Sequence, residues 1–447
     1  MSVGKAGVQI LLLLWVVTIG FAQKTTKNQQ EIQLLTDNVF HLSEVMLHDV
    51  AAPVTASRFY AYALLGAYEV AYFAKGNLPN INEKFNINPG INPPPVPKNF
   101  NLSFASSYAM LEVGRYIMPS GVTLIENQKN LLAFFKKKKK VSEVDLNDNV
   151  RYAEEIAKYV VAYAKTDGYN KLSTFTRYTP NKKREGHWYP TPPEYMGAVE
   201  PQWKTVRPFF LDSASQFAPS PPVQYSKDPN SEFYKMMLEV YNVKNKLTKE
   251  EGDIANFWDC NPFAVDYSGH MAIGLKKISP GGHWMGIAGI ATKKADISLD
   301  SAILVQTVVA LTLHDAFISC WQEKYFSDRI RPESAINILH DPSWRPLLQT
   351  PPFPEYTSGH SVASSSVAVV LTYLLGDNFS FVDTSEIYFG LPAREFKSFY
   401  QAANEAAVSR LYGGIHFRDA CDNGVAQGKR VGQFVLSNLF DIQAKQE

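Results

Sequence analysis

Near the C-terminal end of this 447-residue chain, Lys324 is followed seven residues later by Arg331-Pro332, then by Ser358-Gly359-His360, then by Arg410 with His416 six residues on. Two arginines, a lysine, a Ser-Gly turn and two histidines are what a tetrahedral oxyanion needs. Guanidinium forks hold its oxygens, a helix start offers backbone N–H groups, and an ammonium adds a point charge. The histidines add an acid/base and a nucleophile. Each fragment is common by itself. All three in order, with these spacings, predict an oxyanion cradle.

The elements that must position these residues read as helices, with hardly any strand alternation. Leu42 to Tyr72 is apolar at helical spacing, with Pro53 a break or turn inside it. Helical patterns follow over Phe104–Tyr116, Leu124–Phe135, Val144–Ala164, Phe233–Val243 and Lys249–Trp258, the last opened by Thr248 as N-cap. Ser298 to Tyr325 is apolar almost all round. Gln306, Thr312, His314 and Asp315 interrupt it, so it reads as a central buried helix rather than a membrane span. Lys324 ends this helix, and Ser358-Gly359-His360 opens the next, Ser361–Leu375. Phe396–Leu411 carries Arg410, Gly413-Gly414 ends it, and Asp419–Leu439 closes the chain. Prolines cluster at 89–97, 180–222 and 341–354 and mark long irregular connections. The fold expected is all-α, a helical bundle.

The signature K-x6-RP, SGH and SR-x5-H resembles that of the superfamily joining vanadium-dependent haloperoxidases to phosphatidic acid phosphatase type 2 and bacterial acid phosphatases. Here it reads Lys324-YFSDRI-Arg331-Pro332, Thr357-Ser358-Gly359-His360 and Ser409-Arg410-LYGGI-His416. The stretch HDVAAPVTASRFYAYALLGAYE at 48–69, and WYPTPP and PQW within 188–203, are similar to the bacterial, single-chain haloperoxidases. Two departures stand out. Thr357 replaces the usual Pro before SGH, and no Asp stands four residues after His416, although Asp419 and Asp422 bracket that place. Which of the two, if either, orients His416 is left open.

The resemblance implies a helical bundle that binds vanadate, bonded to the imidazole of His416. Lys324, Arg331, Ser358, Gly359 and Arg410 would neutralise its oxygens, and His360 would take a proton from hydrogen peroxide. Lys324 assists, a halide is oxidised to hypohalous acid, and iodide is favoured, with bromide next. Trp321 and Phe353 match positions that flank the vanadate and form the halide pocket. The superfamily also implies an alternative, a phosphatase with His416 as nucleophile and His360 as general acid. A third reading is a non-catalytic oxyanion-binding protein. The length of the N-terminal helical region favours the peroxidase.

Residues 1–22 read as a signal peptide, with Lys5 before an apolar stretch and Gly20-Phe21-Ala22 as cleavage site. That predicts a secreted or periplasmic protein, cleaved near Ala22. Two further segments are expected, an N-terminal helical region at 23–250 and an oxyanion-binding core at 251–447. The 44 basic and 43 acidic residues nearly cancel, which argues against nucleic-acid and membrane-surface partners. Three cysteines make no disulfide framework. No HExxH or paired CxxC spacing marks a divalent metal site.

Overall fold

The computed structural model describes residues 25–440 apart from 182, 193, 269–270 and 275–276. The signal-peptide residues lie outside the described ones. The architecture is mostly helical, as expected, and one apolar cluster runs from Leu35 to Leu439 without a seam at residue 250.

Helix α1 (Lys27–His48) starts on a capping box in which the Thr26 hydroxyl accepts from the Gln29 N–H and the Gln29 side chain answers. Helix α2 (Pro53–Lys75) follows, so the apolar run Leu42–Tyr72 is two helices. Pro53 occupies the first turn of α2, where its missing N–H costs nothing. Small residues let α2 bury nearly its whole length, and it packs against α3 (Leu102–Ile117). Helices α4 (Leu124–Lys137) and α5 (Glu143–Ala164) cover α3 from outside. The Lys136–Lys140 run is exposed at the end of α4. Helices α6 (Glu232–Asn245) and α7 (Lys249–Phe257) come next, α7 on the Thr248 capping box.

Helix α8 (Pro280–Ala295) has no counterpart in the apolar pattern, because its glycines argue against a helix. Packing overrides propensity there: a Cβ on Gly289 would stand 2.5 Å from the Thr36 side chain of α1. Helix α9 (Leu299–Ser327) is long and apolar enough to cross a membrane, yet it is buried inside the protein, against α2 and the later helices. Short α10 (Pro332–Leu339) begins directly after Arg331. Helices α11 (Gly359–Leu375), α12 (Phe399–Tyr412) and α13 (Arg418–Phe440) complete the bundle. Helix α13 lies so close to α11 that a Cβ on Gly428 would fall 2.2 Å from the Val362 carbonyl oxygen. Among the described residues, strand content is two short antiparallel pairs, β1 (Val265–Ser268) with β2 (Met271–Gly274), and β3 (Phe381–Asp383) with β4 (Arg394–Phe396).

The proline-rich stretch 180–222 is irregular but not loose. The Trp188 N–H donates to the Asp328 carbonyl, Ile330 to Gly186, and Val199 to Pro352, at 2.8–3.1 Å. Asp315 of α9 accepts from the backbone N–H groups of Phe209, Phe210 and Leu211. His314 packs among Tyr62, Trp203 and Phe209. This pair therefore anchors the irregular wrap against the helix that carries Lys324.

Candidate active site

Four chain turns meet where α9 ends, α10 and α11 begin, and α12 passes into α13. Asp328, in the left-handed conformation, closes α9, so the Lys324 side chain leaves the helix toward the 351–357 connection. Its Nζ donates to the carbonyls of Pro354, Glu355 and Thr357 at 3.2, 3.1 and 2.5 Å. Thr357, standing where the motif usually has Pro, thus contributes its backbone to the lysine.

Arg331 is equally buried. Its Nε donates to the Phe353 carbonyl at 2.9 Å, and one Nη to the Ile415 carbonyl at 2.9 Å and to His416 Nε2 at 3.2 Å. Arg410 donates to Ser409 Oγ and to the Ala255 carbonyl. Among the described residues none of these three cations has a carboxylate within ion-pair distance; carbonyl and hydroxyl oxygens carry their charge. Such a cluster is costly to bury and strongly attracts an anion.

His416 is oriented by a group outside the expected positions. Glu355 Oε1 lies 2.8 Å from His416 Nδ1 and accepts the Phe417 N–H at 2.9 Å. Neither Asp419 nor Asp422 does this. Asp419 makes a two-pronged ion pair with Arg329, which also donates to Glu355, and Asp422 is exposed on the outer side of α13. With Glu355 taking the Nδ1 hydrogen, His416 Nε2 carries a lone pair, consistent with its accepting from Arg331. Glu355 stands three residues before Ser358, a spacing that by itself does not tie it to His416. The motif's spacing directed attention downstream of His416 instead.

Ser358 caps α11, its Oγ accepting the Ser361 N–H, so the helix N-terminus opens beside His360. A Cβ on Gly359 would make only ordinary contact, 3.7 Å from Trp321. The glycine keeps this wall of the cavity free. The His360 ring bonds to the Trp258 carbonyl, while its Nε2 is buried without any hydrogen-bond partner.

A cavity of about 40 Å³ joins these groups, lined by Trp321, Phe353, Gly359, His360, Arg410 and His416 among others. That exceeds the roughly 10–15 Å³ one water needs. Lys324, Arg331 and Ser358 stand immediately behind the lining. The Trp321 and Phe353 rings are 4.9 Å apart, and Lys324 Nζ lies 5.1 Å from the Phe353 ring centre.

Burial depresses each basic group of the cradle. Lys324 falls to about 8, with Arg331 adding repulsion, and burial brings Arg331 down to about 10. Burial, then Arg331, Lys324 and Arg410, hold His416 well below the ordinary imidazole range. Burial and Arg410 do the same for His360. Both imidazoles are therefore neutral at pH 7, each with a lone pair at Nε2.

The VCPO second helical-bundle domain matches over residues 305–444, which include the whole cradle. None of the curated proteins matches the chain. The crystal structure of a bacterial vanadium-dependent iodoperoxidase is 42% identical with a TM-score of 0.84, covering 92% of this chain and 96% of that one. A bacterial vanadium-dependent chloroperoxidase shares the fold in its holo form (15% identity, TM-score 0.60, 91% and 92% covered). An apo-type structure of a bacterial vanadium-dependent chloroperoxidase does so too (17% identity, TM-score 0.65, 87% and 94% covered).

Proposed function

This chain belongs to the vanadium-dependent haloperoxidases, enzymes with vanadate as cofactor, and we propose that it oxidises iodide, with His416 bonding the vanadate. One observation carries the reading. His416 Nε2 presents a lone pair, fixed from behind by Glu355, beside buried cations that lack carboxylate partners. A neutral imidazole and an uncompensated positive cluster fit an oxyanion that takes one nitrogen ligand. Vanadate bound there supplies a Lewis acid that activates hydrogen peroxide toward a halide.

The residues have separable tasks. Arg331, Arg410, Lys324 and the Ser358-Gly359 helix start hold negative oxygens. His360 receives the peroxide proton at Nε2, its buried and unpartnered atom. Lys324, behind Phe353, adds positive charge where peroxide oxygen must accept electrons. Trp321 and Phe353 exclude water. Halide, peroxide and one proton become hypohalous acid and water.

Iodide is favoured because aromatic walls suit a weakly hydrated anion, whereas chloride is dearer to desolvate. The similar iodoperoxidase supports the same preference. Bromide is the next substrate expected. Export through the 1–22 leader, with cleavage near Ala22, is part of the proposal, and N-terminal sequencing of the secreted protein tests it. The main experiment is a halide panel: peroxide-dependent turnover of iodide, bromide and chloride by the vanadate-reconstituted protein, alongside a phosphate-ester assay. Iodide turnover well above bromide and negligible chloride turnover are expected. Chloride turning over as fast as iodide sinks the preference, and ester hydrolysis without halide oxidation sinks the His416 assignment.

A further inference from the structure

At the edge of the cavity, where Cys260 joins the lining, three chain segments bring unlike side chains together. Cys260 follows α7, His283 stands in the first turn of α8, and Glu386 lies in the turn after β3. All are buried. Cys260 Sγ and Glu386 Oε1 each stand 3.3 Å from His283 Nδ1, and the three atoms lie within 4.8 Å of one another. The opposite ring nitrogen, Nε2, is bound by Asp383 Oδ2 at 2.7 Å.

We propose that Cys260, His283 and Glu386 hold a divalent transition metal ion, zinc by preference. Zinc takes Cys sulfur at about 2.3 Å, and His nitrogen or carboxylate oxygen at about 2.0–2.2 Å, so tetrahedral angles place neighbouring donor atoms roughly 3.4–3.6 Å apart. The two separations from His283 Nδ1 are close to this. A mixed thiolate, imidazole and carboxylate set suits zinc better than calcium or magnesium, which take oxygen alone.

A second observation points to a ligand. Glu386 Oε1 is buried and makes no hydrogen bond, because its approach to His283 is out of line. A buried carboxylate oxygen within ion-pair distance of an imidazole nitrogen, aimed at a cysteine and hydrogen-bonded to neither, is in the position of a coordinating atom. Asp383 supplies what metal-bound histidines usually have, a carboxylate on the far nitrogen that fixes the ring and its tautomer. With the Cys260 thiol deprotonated, one thiolate and two carboxylates carry three negative charges, which a divalent cation largely offsets.

The ion would fasten the α7 exit, α8 and the β3 turn at one point. The His283 ring stacks on Trp258 with centroids 4.5 Å apart, and the Trp258 carbonyl holds His360. The site uses none of the cradle residues, but Cys260 also lines the cavity that they share.

The test uses the full-length mature protein, stripped with chelator and titrated with Co²⁺ as a spectroscopic probe. Expected are one equivalent bound, ligand-field bands of tetrahedral intensity, a thiolate-to-cobalt charge-transfer band, and displacement of both by Zn²⁺. Cys260→Ser should lose the charge-transfer band. Glu386→Gln, nearly isosteric, should bind at least about tenfold more weakly, and Asp383→Asn about 10–100-fold more weakly. Circular dichroism checks that each variant is folded; if Cys260→Ser is not, Glu386→Gln and the parent spectrum decide. A parent protein that takes up no Co²⁺ or Zn²⁺ overturns the proposal. So does cobalt bound without a thiolate band, or with the same affinity in Glu386→Gln.

Discussion

Arg58 and Arg331 are both buried arginines, and they are held in opposite ways. Arg58 of α2 donates through Nε to Asp167 at 2.6 Å and through Nη to the Ala164 carbonyl. Its charge is matched within the fold, and Tyr169 stacks 4.3 Å away. Arg331 meets carbonyl oxygens and an imidazole nitrogen but no carboxylate. The first arrangement is complete without a ligand, whereas the second leaves a positive surplus for one. Burial alone therefore does not mark a functional arginine; the missing counter-charge does.

The comparison is broken or sharpened by substitution. The largest effect is expected from His416→Ala, which removes the lone pair at the cradle. Halide oxidation should fall to background while circular dichroism is unchanged. Retained turnover would exclude the direct bond. Next, Arg331→Met should lower turnover by about 10²–10³-fold, the usual cost of removing one preorganised donor. Arg58→Met should instead destabilise by about 3–5 kcal/mol, leaving Asp167 buried without a counter-charge, with turnover per folded molecule nearly intact. If denaturant melts and kinetics show both variants failing in the same way, the distinction is wrong.

Glu355→Gln should be milder, reducing vanadate affinity or turnover by about 10–100-fold, as for other groups that orient a metal-bound histidine. Asp419→Asn and Asp422→Asn should cost less, since neither touches His416. The pH response of Lys324 comes next. Its folded value is about 8 against 10.5 for a free side chain, so the unfolded chain holds more protons between those values. Stability of the vanadate-free protein should therefore rise through pH 8–10.5 from this group. Vanadate binding, which needs the charged lysine, should weaken over the same range. Lys324→Met should flatten both trends; affinity titrations and melts across pH that match the parent's would refute the role. The smallest effect is expected from Phe353→His, which should shift the iodide-to-bromide turnover ratio by several-fold by placing a donor in an aromatic wall.

The cradle was legible because its residue types are chemically demanding and lie near helix ends, which sequence marks well. Ser358 as N-cap and Gly413-Gly414 as helix stop are local signals, and they hold. The partner of His416 was not legible. Which carboxylate reaches an imidazole depends on how the 351–357 connection folds back over the α12–α13 turn, and spacing along the chain carries no record of that. Helix α8 escaped for a related reason. Its glycines weigh against a helix when counted locally, and only the approach of Thr36 explains them. The break at Pro53 was visible, but not that it separates two helices in different packing environments.

The near-contact of Gly428 with the Val362 carbonyl reaches further than packing. With no room for a side chain between α13 and α11, the two backbones are in register, and α11 has little slack along its axis. Its first-turn amides thus keep one direction whether or not an anion is present. In a polar solvent, dipoles must turn toward a charge as it forms, and that turning has an energy of reorganisation. Here the orientation was completed when the chain folded. An arriving oxyanion then meets amides already turned toward it, and the adjustment its capture still needs is at His416, where Arg331 must release Nε2 before that nitrogen can bond the oxyanion.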